Sequence, residues 1–386
     1  MENPVKTDTE ATAETATARK LFWASAGFYG LIAFEFFYMA SPFGVYFYSV
    51  YGPGLDWLQQ FGFSGWTIQF FLPHLVEETR SHFVNAAESA GFILFCGGIL
   101  AFAAGAFQVY RAKLTKAGAV MGGLYRHIRH PQYLALMIAS TGMLLIWPRF
   151  LVLFSTCLLF LTYILLAKAE EKMCLRQYEG YAGYMAITGR FLPKRLSWRL
   201  LPTLPSHTAN VGLGIAAFIA VVLGLTAGAL SIRSHAIASL YTLMTDRGVY
   251  LSVTKISNDD LELLARVAGQ SEAVRVQLDG LGVGDRFLAY VLPTEMYVSE
   301  IPMHLPEGES FGHRIPSDRD PARYKVIFSR AVFPAGGLPD GSNVIAHATN
   351  KYPLVEVHID MSMERVDTVF PPPAVSFYPD VQVPLF

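Results

Sequence analysis

The chain has 386 residues, 52% of them hydrophobic and 16% charged, with a mean hydropathy of +0.34. A soluble domain averages about a quarter charged residues, so this composition leans towards a membrane protein. A net charge of −1 argues against nucleic-acid binding, and three cysteines, all in the apolar half, give no disulfide framework or zinc cluster.

Residues 1–20 are polar and rich in Thr and Ala, without the apolar core of a secretory signal, and are expected to form a short disordered cytoplasmic tail. A helix needs about twenty apolar residues to cross a bilayer. Five stretches are expected to do so: 21–50, which carries Glu35, then 89–110, 133–147, 150–167 and 211–232. Only Pro148 and Arg149 separate the third from the fourth, which reads as a helical hairpin. The shorter aromatic stretch 61–75 is expected to lie in the interface as a helix, and the aromatics of 21–72 read as an interfacial belt and lipid-facing surface.

The loop charges set an expected orientation. Arg19 and Lys20 precede the first span, Arg111, Lys113, Lys116, Arg126 and Arg129 follow the second, and Lys194, Arg195 and Arg199 precede the last. Segment 51–88 is acidic, with Asp56, Glu77, Glu78 and Glu88 against Arg80. The N-terminus and the run 125–133 (YRHIRHPQY) are therefore expected on the cytoplasmic side of a bacterial-type inner membrane, with the C-terminal region outside.

Two histidine groups invite a metal reading. His74, Glu78 and His82 would share one face of a helix at spacings of four, and His304 and His313 flank Glu307 and Glu309. The first is expected to be the wet face of the interfacial helix and the second a solvated loop, so no metal ligand is assigned. From residue 236 onward short alternating runs (GVYLSVTKI, AVRVQL, RFLAYVL, YKVIFSRAVF, LVEVHIDM) predict strands, and DLELLARVAG predicts one amphipathic helix. The fold class expected is an α-helical integral membrane domain of about five spans, followed by a soluble β-rich domain at 236–386.

Between the apolar runs lies the chemistry. Arg129-His130-Pro131-x-Tyr133 opens the hairpin, Gly142 and Trp147-Pro148 lie near its turn, and Glu170-Glu171 follow its second helix. Tyr181 and Tyr184, then Phe191-Leu192-Pro193, complete the set. Over residues 118–195 this combination resembles the isoprenylcysteine carboxyl methyltransferase family and its bacterial relatives, which share features with phospholipid N-methyltransferases. Two departures stand out: the Tyr178–Tyr181 spacing is one residue short, and Ala135 replaces a common glycine.

The resemblance implies an integral membrane enzyme using S-adenosylmethionine, with residues 21–204 as the methyltransferase-like domain and 205–235 as the final span and linker. It implies that His130 and Tyr133 line the cofactor pocket, with Glu170 or Glu171 opposite, and that Arg129 holds the methionyl carboxylate or positions a substrate. An amine acceptor would need a base, for which Glu171 and Tyr133 are the candidates. Arg126 and His127 read as anchors. The expected acceptor is hydrophobic and membrane-embedded: a lipid, an isoprenoid-like molecule or a lipidated carboxylate or thiol. The alternative is an inactive membrane anchor displaying 236–386 for binding or assembly in a larger complex, which would give that region a protein partner. No nucleic acid is expected.

Overall fold

The computed structural model describes residues 30, 41–43, 65–115, 119–196, 206–315, 317, 319–333, 343–373 and 385–386. The expected first span at 21–50, with Glu35, lies outside them apart from residues 30 and 41–43. The chain divides into two compact units, one built from 1–48, 96–140 and 158–199, the other from 49–95, 141–157 and 200–386.

Among the described residues three helices are long and apolar enough to cross a membrane: α1 (His82–Leu114), α3 (Phe150–Gln177) and α5, which runs over His207–Ala238. In α5 only 6% of the most apolar stretch is buried. Ile215, Ile219 and Leu223 are more than half exposed, a surface that suits lipid and not water. The hairpin's first helix, α2 (Pro131–Ile146), has 16 residues. At 1.5 Å per residue it spans roughly 24 Å, short of the ~30 Å hydrocarbon core. Of the four expected spans that fall among the described residues, three are full-length helices.

Within the first unit α1 and α2 approach closely. A Cβ added at Gly98 would lie 2.6 Å from Ala139 N and 2.7 Å from Ala135 O. The missing glycine at position 135 is thus offset by a glycine on the facing helix. A short helix, α4 (Tyr181–Ile187), follows α3.

In the second unit the described residues form six strands in sequence order: β1 (Tyr241–Thr245), β2 (Gly248–Ser252), β3 (Phe287–Pro293), β4 (Arg323–Val332), β5 (Asn350–Asp360) and β6 (Arg365–Phe370). Neighbours are antiparallel except β2 and β3, which run parallel because α6 (Asn258–Gln270) and α7 (Glu272–Asp279) cross over between them. The sheet is covered on both faces, which is why β2 and β3 are buried at every position. Tyr250, Ala289, Val326 and Val357 face the side packed with Leu261, Leu264 and Val274 of the two helices. Leu251, Leu288, Tyr290 and Ile327 face the side packed with Leu75, Val298 and Ile345. The last helix, α8 (Val344–His347), is one turn long.

Two expectations are corrected here. AVRVQL is helical, as part of α7: Val274 is fully buried while Val276 is 62% exposed, and partly buried Leu278 lies one turn beyond Val274. The alternation of three apolar residues matched a strand, but only an i, i+4 face is used. The interfacial helix over 61–75 is also absent among the described residues, which show one 3-10 turn at Gly65–Ile68 and irregular chain to Ser81. Here the amides find tertiary acceptors in place of helical ones. Phe71 N donates to Pro148 O, His74 N to Phe386 O, Glu77 N to Val253 O and Arg80 N to Ser239 O, at 2.8–2.9 Å. His74, Glu78 and His82 therefore share no helix face.

Candidate functional site

The polar residues flanking the hairpin meet within the first unit. Chain 127–130 pairs with 189–190: Gly189 N donates to His127 O, Arg129 N to Gly189 O and His130 N to Arg190 O, at 2.9–3.2 Å. Gly189 is required there, since a Cβ would lie 1.7 Å from Leu192 O. This short pairing delivers Arg129 and His130 from one side and Arg190 from the other onto the polar end of α3.

Glu171 is the centre of the cluster. Arg129 Nε donates to its Oε1 at 2.8 Å, Arg190 Nε to Oε1 at 3.1 Å and Arg190 Nη2 to Oε2 at 2.5 Å. Both carboxylate oxygens are therefore held by guanidinium donors, with an Arg190 fork fitted to them. Arg129 Nη1 also donates to the Thr188 carbonyl, which ties α4's end to the same point. The Arg129 side chain is 8% exposed and that of Glu171 4%, so this pair forms a buried layer.

Above it lies a second acid. The Tyr133 hydroxyl donates to Glu170 Oε1. His130 sits between the two acids, Nδ1 at 3.4 Å from Glu170 Oε2 and Nε2 at 3.5 Å from Glu171 Oε1. Burial lowers the affinity of this imidazole for a proton, but the two carboxylates outweigh it and hold its pKa above the ordinary value. The His130 ring stacks parallel to Tyr133 at 5.5 Å, and Tyr133 stacks on Tyr163 at 4.9 Å. Tyr133 and Tyr163 are fully buried, so the stack fixes where the acids' partners stand. Tyr184 OH donates to Tyr125 O at 2.6 Å, and Tyr125 OH to Gln132 Oε1 at 2.8 Å, which pins the chain entering α2.

The structure thus brings together all five residues singled out from the sequence: Arg129, His130, Tyr133, Glu170 and Glu171. It adds Arg190, Thr188 and Tyr163. Arg190 was within reach of the sequence reading, since it adjoins Phe191-Leu192-Pro193; Tyr163 lies in an apolar helix and carried no signal. Arg126 and His127 are exposed, and His127 takes part only through its backbone carbonyl.

A zwitterionic cofactor would find both signs of charge here. Two charged side chains of the cluster reach solvent, Glu170 at 27% and Arg190 at 32% side-chain exposure, backed by the buried Arg129–Glu171 layer. An open acid can accept from an ammonium or from hydroxyls, and an open guanidinium can hold a carboxylate. The donor set fits such a molecule.

The model of the phospholipid methyltransferase family matches residues 89–180. That segment contains most of α1, the hairpin and both acids, and stops short of Arg190 and of the sheet. No curated protein and no solved structure matches the chain. The match agrees with the resemblance to phospholipid N-methyltransferases and extends over the segment 89–180 alone.

Proposed function

We propose that the helical half is an S-adenosylmethionine-dependent methyltransferase acting on a hydrophobic acceptor drawn from the bilayer. One observation carries this reading: within the family-matched segment the partly exposed Glu170 stands beside the buried Arg129–Glu171 pair, and the partly exposed Arg190 meets them from just beyond that segment. Bound there, S-adenosylmethionine supplies a methyl group on an already activated sulfonium.

The chain's own residues then have to bind, orient and exclude water. Glu170 accepts hydrogen bonds from the ammonium or the ribose hydroxyls, and Arg190 pairs with the carboxylate. Arg129 and Glu171 hold those groups in place and act as positioning residues, since both are buried. His130 and Tyr133 form the wall between the acids, with Tyr163 behind them. A carboxylate or thiolate acceptor needs no base. For an amine acceptor, the Tyr133–Glu170 pair has the carboxylate that is free of guanidinium donors.

The loop charges favour a cytoplasmic donor site in a bacterial-type inner membrane, with the sheet on the opposite side. The water-soluble donor would then enter from the cytoplasm and the acceptor sideways from the lipid: a lipid, an isoprenoid-like molecule or a lipidated carboxylate or thiol.

Calorimetry on the purified protein tests the reading. S-adenosylmethionine is expected to bind, and Glu170→Ala and His130→Ala each to weaken binding at least about tenfold, the loss expected for a hydrogen bond to a charged group. Absence of binding, or binding indifferent to both substitutions, overturns it. Transfer of labelled methyl groups into a membrane extract then identifies the acceptor.

A further inference from the structure

Two histidines that the sequence placed in separate groups converge in the second unit on a third residue that it did not single out. His74 Nε2 lies 3.6 Å from Glu300 Oε1, and His313 Nε2 lies 3.2 Å from the same oxygen. One donor atom from each of the three residues falls within 4.8 Å of the others. From this convergence we propose that His74, Glu300 and His313 form a binding site for a divalent transition-metal ion of the zinc class.

The donor chemistry is two imidazole nitrogens and one carboxylate oxygen, a set that suits zinc and leaves a fourth position open. A tetrahedral zinc with bonds of about 2.0–2.1 Å keeps its ligand atoms roughly 3.4 Å apart. Both distances to Glu300 already match that spacing, so the site closes by drawing the two imidazoles towards each other. The site is also built from behind. Ser299 Oγ donates to Glu300 Oε2 at 2.8 Å, which leaves Oε1 turned towards the histidines. The His74 ring lies 4.5 Å from Trp147 and 5.3 Å from Phe70, which restrains its rotation, and its backbone N–H is tied to Phe386 O.

Exposure gives the site an entrance. Glu300 is 8% and His74 13% exposed, but His313 is 40% exposed, so an ion would enter past His313 and find the other two ligands in place. The irregular path of 69–81 has a purpose in this light: a helix would point His74 along its own face, whereas the irregular chain presents it to Glu300. A bound ion would staple that segment to the loop carrying Glu300 and His313.

The test uses the full-length protein in detergent, freed of any affinity tag, stripped with a chelator and titrated with zinc against a chromophoric competitor. The expected result is one equivalent of zinc per chain, with a zinc-dependent rise in the unfolding midpoint. Magnesium is expected to produce neither. His313→Ala and His74→Gln are each expected to weaken zinc by at least about 100-fold, since even an outer-shell partner costs 10–100-fold. Both should retain the near-UV circular dichroism and midpoint of metal-free wild type. Failure of wild type to hold an equivalent of zinc overturns the proposal, and so does a folded variant of either histidine that binds zinc as wild type does. Because the readout is zinc and not methyl transfer, its outcome is separable from that of the donor-site experiment.

Discussion

Glu171 in the helical unit and Lys325 in the sheet unit are both buried charges, at 3% and 0% exposure, and their surroundings treat them in opposite ways. Glu171 collects two guanidiniums and an imidazole. Lys325 has its Nζ 3.6 Å from the centre of the Tyr297 ring and no hydrogen-bond partner among the described residues. A buried charge with full partners is costly to disturb, whereas one resting on a ring face is a standing cost to the fold. The first pattern marks a place where geometry is held for use; the second is a strand position where the sheet would be more stable with an apolar residue.

The sharpest way to break this comparison is Glu171→Ala. It leaves Arg129 buried beside Arg190 without their shared acid, and the expected loss of stability is about 3–5 kcal/mol, the cost of breaking a buried pair. Thermal unfolding in detergent checks it, and a loss under 1 kcal/mol would mean the cluster is open to water.

Lys325→Met should act in the reverse direction. Burial lowers the Lys325 pKa from 10.5 to about 8 in the folded protein, with Glu356 only partly opposing it. Between those values the unfolded chain binds more protons than the folded one, so stability rises with pH from about 8 towards 10.5. Below pH 8 the full cost is present, up to about 3 kcal/mol for a shift of this size. The methionine variant is therefore expected to unfold at a higher temperature than wild type at pH 7, with the gap narrowing as pH rises. Parallel melting curves at pH 7.5 and 9.5 would show that Lys325 is solvated.

The smallest effect is expected at the rim of the helical site. Arg126→Ala and His127→Ala remove exposed side chains and should change stability by less than about 0.5 kcal/mol. They should also leave S-adenosylmethionine affinity unchanged. A tenfold loss of affinity in either would extend the site beyond the cluster drawn here.

Much of the helical half could be read in advance, because a bilayer imposes a long apolar run and the hairpin's two ends carry dense polar groups. Arg129, His130, Tyr133, Glu170 and Glu171 were legible for that reason. The α6 helix and strands β2 to β5 were legible too, since their apolar periods are simple. AVRVQL was misread because three alternating apolar residues fit a strand as well as a short helix. Strands β1 and β6 escaped notice because each lies at an edge of the sheet and keeps few buried residues to signal a period.

The sequence by itself determined that the chain has a helical half suited to lipid, a β-rich half, and a polar hairpin mouth, since hydropathy and local period are properties of neighbours along the chain. Only the tertiary structure decided that Arg190 closes on Glu171 and that His74 leaves its own segment to meet Glu300 and His313. Those contacts join residues 19, 226 and 13 positions apart, and no local pattern encodes which side chains a folded backbone will bring within 4 Å.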